Sequence, residues 1–194
     1  MHRFRVVINA TTPVHLLHLL AGEVKHHAGT AAHLGLSLMQ QGLETDALWR
    51  TADLFVHSAA TVAAVFTPLP SRRKRLQAAF PDRGRDLAAM FDIDQSDLAG
   101  VKELRDSFVH IDERYEEFWM DEPTHNLAIR NVGPAEMFQM SGQRFHHWDD
   151  TRNLLTFGGA EVDVAKTVTV MGLLLQRAPG VEQELWESIG RSPR

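Results

Sequence analysis

The sequence predicts a mainly α-helical single domain: an antiparallel bundle of four to five helices carrying a small β-hairpin or meander towards its C-terminus. Three observations predict it. Apolar residues recur at spacings of three and four from Leu16 to Trp119, the period of one helix face. Gly42, Pro68, Pro70, Pro81 and Gly84 punctuate that pattern closely enough to leave only short connections, which favours antiparallel neighbours. After Pro123 the pattern changes to short apolar runs divided by turn residues, the mark of hairpin strands.

Element by element, Phe4–Ile8 is a β-branched apolar run that reads as a short strand. Thr12-Pro13 reads as an N-cap followed by proline at the first helical position. The first helix then runs to about Gln41, where Gly42 stops it. Its expected core face is Leu16, Leu17, Leu20, Val24, Ala31, Leu34 and Leu38. A second helix spans Asp46 to Phe66, with Leu48, Ala52, Phe55, Ala59, Val62 and Val65 inward. A third helical region, Arg72 to Met90, is basic at its start and interrupted near Pro81 and Gly84. The fourth helix, capped by Asp94 or Ser96, continues to about Trp119 on the stripe Leu98, Val101, Leu104, Phe108, Ile111, Tyr115, Phe118 and Trp119.

Beyond it, Gln143–Trp148 alternates loosely, Asp149–Asn153 is rich in turn residues, and Leu154–Phe157 is apolar. Gly158-Gly159 then links to Ala160–Val164. A last helix is expected from Val164 to Arg177, with Pro179-Gly180 breaking it. No repeat, low-complexity tract or linker stands out, so residues 1–194 read as one domain. Within it, 12–120 form the helical bundle and 124–194 a hairpin with a terminal helix packed on it.

Composition sets the outer limits. The 194 residues suffice for a sizeable core, and 44% hydrophobic with 23% charged residues is the balance of an ordinary globular chain. A formal charge of −5 argues against coating nucleic acid wholesale but permits a local basic patch. With no cysteine, disulfides, thiolate metal sites and cysteine nucleophiles are excluded, which fits a cytoplasmic protein. Asn9, Thr11, Thr12, Pro13, His15 and His18 interrupt the apolar N-terminus, so neither an export signal nor a membrane span is expected.

The densest chemistry lies in Leu104-Arg105-Asp106-Ser107-Phe108-Val109-His110-Ile111-Asp112-Glu113-Arg114. A helix advances about 100° and 1.5 Å per residue, which puts Asp106 and His110 on one face. Arg105 is then about 140° around the axis from His110 and roughly 7.5 Å along it. A histidine titrates near neutral pH, and a neighbouring carboxylate fixes its tautomer. An arginine is a permanent cation whose fork suits phosphate. Together they form a kit for cutting a phosphodiester without metal, once a partner helix or a second subunit completes the site. Charges at this spacing are otherwise a solvated helix face.

Other concentrations are weaker. Arg72, Arg73, Lys74 and Arg75, followed by Arg83 and Arg85, form one basic run able to contact RNA phosphates; the competing reading is a solvated helix start, and no aromatic residue is interleaved for base stacking. Eleven histidines are many for this length. His15, His26 and His33, with His18 alongside, share one side of the first helix, and His146-His147 sit beside Asp149 and Asp150. A zinc site requires three or four converging ligands, so an exposed or dimer-facing stripe competes with a metal site. Trp49, Phe55, Phe66, Phe108, Phe118 and Trp119 read as core or interface packing. Glycine-rich phosphate loops and serine nucleophile elbows are both missing.

An arginine with a polar residue beside it and a histidine closing the Arg-x4-His motif, late in a helical bundle, resemble the HEPN superfamily of nucleotide-binding domains. The run His110-Ile111-Asp112-Glu113-Arg114 looks closest to bacterial members of that superfamily, and Arg83-Gly84 and the later hairpin fit the same pattern. The resemblance covers roughly Pro13 to Phe118. It implies a helical homodimer that brings two motifs into one cleft, with Arg105 and His110 as the catalytic pair and Asp106 orienting them. Many members are metal-independent ribonucleases of toxin–antitoxin and defence systems, some of them with an antitoxin or other protein partner. Some toxin members carry tyrosine two positions after the histidine, where this chain has Asp112. The resulting expectation is an endoribonuclease leaving 2′,3′-cyclic phosphate ends and needing no cofactor. The alternatives are a non-catalytic RNA-binding or protein-interaction dimer, and a histidine-rich metal-binding protein.

Overall fold

Helix α1 (Val14–Met39) buries Leu17, Ala21, Val24, Ala28, Ala31, Gly35 and Leu38, a seam that steps alternately by four and three residues. That is a heptad stripe, the pattern by which one helix keeps the same line against its neighbours. Small residues fill much of it. A Cβ built on Gly35 would lie 2.4 Å from Cγ2 of Val168 and 3.0 Å from the Phe55 ring. The computed structural model describes residues 12–40, 42–67, 74–121, 129–137 and 145–191; the strand expected over Phe4–Ile8 lies outside the described residues.

Helix α2 (Thr45–Phe66) follows after Gly42 turns the chain at φ +94°, a conformation that favours glycine. It packs against α1, as does α7 (Val164–Arg191), and the two meet the same seam at Gly35. In α7 the residues Val164, Thr167, Met171, Leu174, Ala178, Val181 and Leu185 are buried in the same alternating steps. The two helices run antiparallel: His18 meets Trp186 at 5.8 Å between rings, Lys25 Nζ binds Glu182 Oε2 at 2.8 Å, and Gly35 faces Val168. The core therefore sits along α1, enclosed by α2 and α7.

Two expectations about helix ends are corrected here. Pro179 does not break the last helix, which continues through it to Arg191. Leu174 and Ala178 before the proline and Val181 and Leu185 beyond it stay buried in one register, and that packing outweighs the lost amide and ring clash. Thr12 does not cap α1: Pro13 holds the cap position, and the Thr12 hydroxyl instead donates to Asp86 Oδ2 at 2.8 Å.

Short helices α3 (Lys74–Ala79) and α4 (Arg83–Phe91) split the expected third helix at its Pro81 interruption. Arg83 Nη2 donates to the carbonyls of Ala64 at 2.9 Å and Val65 at 3.2 Å, and Gln95 Nε2 donates to Phe66 O at 2.6 Å. Those carbonyls end α2 with no partner inside their own helix, so the two side chains serve as its C-terminal cap. Asp94 accepts from the Ser96 amide at 2.9 Å and starts a short 3-10 turn, Gln95–Leu98, that leads into α5 (Ala99–Val109).

The expected single fourth helix is in fact two. α5 ends at Val109, His110 takes φ −105° and ψ 38°, and α6 (Ile111–Asp121) begins immediately. His110 N still donates to Asp106 O at 3.3 Å and His110 O accepts from Arg114 N at 3.0 Å, so the break is one residue wide. Asp112 and Glu113 fill the first turn of α6, where carboxylates complement the exposed amides and the positive end of the helix dipole.

The C-terminal strands form one four-stranded sheet ordered β1 (Asn131–Val132), β2 (His146–Asp149), β3 (Leu154–Phe157) and β4 (Ala160–Asp163). β1 pairs parallel to β2, while β2, β3 and β4 form the antiparallel meander. Asp149 Oδ1 accepts from Thr151 N at 3.1 Å, Thr151 Oγ1 at 2.6 Å and Arg152 N at 3.1 Å, fixing the first turn. Gly158 at φ +52° and Gly159 at φ +84° close the second, as a two-residue hairpin requires. The sheet packs against α5. Among the described residues no helix is long and apolar enough to cross a membrane.

Candidate functional site

Arg105, Asp106 and His110 occupy the last turn of α5 and its junction with α6. Arg105 Nη1 lies 3.0 Å from Asp106 Oδ1 and His110 Nδ1 lies 3.4 Å from Glu113 Oε1. The structure thus joins Arg105 to Asp106, but the carboxylate partner of His110 is Glu113 rather than Asp106. All three side chains remain accessible, at 36% for Arg105, 43% for Asp106 and 52% for His110. Among the described residues, the Nε and Nη2 groups of Arg105 have no hydrogen-bond partner.

A cleft of about 250 Å³ runs between α2 and α5. On the α2 side Val56, Ala60 and Ala64 recur every fourth residue, and beside them Asp53, His57 and Thr61 do the same. Residues four apart lie on one helix face, so an apolar strip and a polar strip run side by side along the cleft. Arg105, Phe108 and Val109 supply the α5 wall. Asp106 faces a second, more open cavity of about 380 Å³ with Thr67, Gln95, Ser96, Ala99, Lys102 and Glu103. His110 lines neither.

Behind the cleft, β2 presents His146 to a cluster of rings. Its imidazole stands edge-on to Phe157 at 4.2 Å and to Trp49 at 5.6 Å, and Phe108 packs on Phe157 at 4.7 Å. Burial, reinforced by the positive charge of Arg130, pushes His146 down to about 4, so the ring is neutral at physiological pH. Burial raises the Asp53 carboxyl, and Arg130 pulls it back part of the way. Tyr115, stacked on Phe145 at 4.7 Å, is raised by burial too, again opposed by Arg130. Arg130 itself sits at φ +59° just before β1. Its charge reaches Asp53, Tyr115 and His146, in each case as a smaller influence than burial.

The other expected sites fare differently. Of the basic run, Arg72 and Arg73 lie outside the described residues, while Lys74 and Arg75 are exposed. Arg83 is turned inward to cap α2, and Arg85 pairs with Asp82 at 3.0 Å. His15, His26 and His33 lie exposed along α1, and His18 is half-buried against Trp186. The expected polar cluster at His146-His147 and Asp149 is instead buried, with Asp149 holding its turn. Among the described residues no three histidine, aspartate or glutamate side chains converge as a metal site would need. Trp49, Phe55 and Phe66 are core residues, Phe108 is half-buried, and Trp119 is exposed; the side chain of Phe118 lies outside the described residues.

Asp53, His57 and Arg130 were not singled out by their sequence pattern, and Glu113 stood in the motif run without an assigned role. Asp53-x3-His57-x3-Thr61 is a polar line at helical spacing, which on most helices is solvated surface; only the approach of α5 turns it into a cleft wall. A comparison with protein-family models found no match, and neither did comparisons with curated proteins or with solved structures.

Proposed function

We propose that the chain is a metal-independent endoribonuclease of the HEPN kind, acting as a homodimer through Arg105 and His110. What carries the reading is the pairing at the α5–α6 corner: an accessible imidazole against a carboxylate, and one turn before it an arginine with free donors beside a cleft. Glu113, on Nδ1, favours the tautomer that carries its proton there, leaving Nε2 to take a proton from a ribose 2′-hydroxyl. The 2′-oxygen attacks phosphorus, Arg105 stabilises charge on the phosphoryl oxygens, and the 5′-oxygen leaves once protonated. The products are a 2′,3′-cyclic phosphate and a 5′-hydroxyl end. In a dimer, His110 of the second subunit supplies the leaving-group proton.

A second reading is a non-catalytic RNA-binding or interaction domain. It is favoured by Asp106 already engaging Arg105 and by Asp112 and Glu113 lying where a phosphate backbone would approach. One experiment separates the two. The purified chain is incubated with a mixed RNA pool in EDTA beside His110→Ala and Arg105→Ala. Cleavage with cyclic-phosphate ends, reduced at least ~100-fold in both variants, is the expected result. Folded parent protein that binds RNA without cutting it would replace the catalytic reading with the second.

A further inference from the structure

We propose that the α2–α5 cleft is a guanine-nucleotide subsite, in which Asp53 reads the base edge, Phe108 carries the ring and Arg105 holds the attached phosphate. Its role in choosing a cleavage position rests on the ribonuclease reading, whereas the binding does not.

Size comes first. At about 250 Å³ the cleft falls below the roughly 300–1,000 Å³ usual for drug-sized ligands, which suits one planar ring system with an attached group. Its chemistry is split in the way a nucleotide is split. Val56, Ala60 and Ala64 form a flat floor without long side chains on the α2 side, and Phe108 stands on the opposite wall. Phe108 is fixed from behind by Phe157 at 4.7 Å and by the edge of His146 at 6.4 Å, so little ordering remains when a base stacks on it.

Polarity then selects the base. Among the described residues, no hydrogen bond engages the Asp53 carboxylate, whose pKa burial raises and the charge of Arg130 lowers in part. A carboxylate offers two acceptors and no donor. Guanine presents two adjacent donors, N1–H and the N2 amino group, and can satisfy both oxygens at once. The Watson–Crick edges of adenine and cytosine place a ring-nitrogen acceptor beside their amino donor, and uracil offers one N–H between two carbonyls. Each of those leaves a carboxylate oxygen facing an acceptor. The Nε and Nη2 donors of Arg105 remain for phosphate, and exposed His57 and half-buried Thr61 border the same cleft.

The test is calorimetric binding of GMP, AMP, CMP and UMP to the full chain, to Asp53→Asn and to His110→Ala, with circular dichroism verifying the fold. Expected is GMP binding at least ten times tighter than the other three, lost by at least tenfold in Asp53→Asn and retained in His110→Ala. Equal affinity for the four nucleotides, or GMP binding unchanged in folded Asp53→Asn, would overturn the subsite. If Asp53→Asn fails to fold, Phe108→Leu must weaken GMP at least fivefold, and unchanged binding sinks the proposal. Sequencing of cleaved RNA ends separates the two levels. Cutting without guanine preference and without GMP binding removes the subsite and leaves the ribonuclease; Asp53-dependent GMP binding without cutting does the reverse.

Discussion

The α1–α7 pair and the α5–α6 corner are both helical, yet they use their side chains in opposite ways. Along α1 and α7 two heptad seams are closed by alanine, glycine, leucine and valine, with a threonine and a methionine from α7. Seam residues there contribute shape, and substitution of any of them changes packing before it changes anything else. At the corner, Arg105, Asp106, His110 and Glu113 are accessible and mutually paired, and α6 leaves Trp119 and Met120 exposed at its end. Chemistry is placed where packing demands least. The lesson is that stability and reactivity can be perturbed separately in this chain, and each prediction below tests that separation.

The largest effect is expected at Gly84. A Cβ there would fall 1.8 Å from the carbonyl oxygen of Phe66, which Gln95 holds while Arg83 holds the neighbouring carbonyls of Ala64 and Val65. Neither side can yield without undoing the α2 cap, so Gly84→Ala should cost about 3 kcal/mol or more, at the upper end for overpacking. Urea unfolding measures it; a loss under about 1 kcal/mol would show that α4 is free to slide. Gly35→Ala meets the movable methyl of Val168 and should cost less, about 1–3 kcal/mol.

His146 lies behind the corner, where its ring packs against Phe108 of α5, Trp49 of α2 and Phe157 of β3. Its folded pKa of about 4 lies below the unfolded value of 6.5. Between those values the unfolded chain binds more protons, so its contribution is complete above pH 6.5 and is lost as pH falls towards 4. The loss should approach about 3 kcal/mol. His146→Phe keeps a ring in the cluster and removes the proton. Subtracting its pH–stability curve from the parent curve should therefore leave a slope confined to pH 4–6.5, and parallel curves would mean His146 is solvated in the folded state.

Much of the packing region was legible in the sequence. α1 ended at Met39, two residues before the expected Gln41, with Gly42 turning the chain after it, and Gly158-Gly159 closed the β3–β4 turn as expected, because these glycines adopt a backbone conformation that few residues do. The seam was legible less fully. Leu20 and Leu34 pack half-buried against the core, whereas the fully buried seam also takes Ala21, Ala28 and Gly35, and at Gly35 Val168 and Phe55 leave no room for a side chain. Pro179 misled because its local penalty is overridden by Leu174, Ala178, Val181 and Leu185 packing as one line. The corner misled in the opposite sense. No glycine or proline marks the break at His110, and the only local signal is the acidic pair Asp112-Glu113 in the first turn of α6. Arg105, Asp106 and His110 were visible as a motif, whereas the cleft beside them depends on α2 and α5 meeting across residues far apart in sequence.

The smallest expected effect on stability gives the sharpest comparison. Glu113 is 66% exposed and touches His110 across 3.4 Å at the corner. Glu113→Gln removes the negative charge while keeping the shape, and surface substitutions of this kind usually change stability by less than about 0.5 kcal/mol. If Glu113 fixes the His110 tautomer, RNA cleavage should fall by roughly tenfold, the low end for loss of a group that orients a catalytic residue, with the melting curve unmoved. Loss of activity together with loss of stability would place Glu113 among the structural residues of α6 and erase the contrast between corner and core. Unchanged activity would leave His110 unassisted and shift the orienting role to Asp106, for which Asp106→Asn is the matching variant.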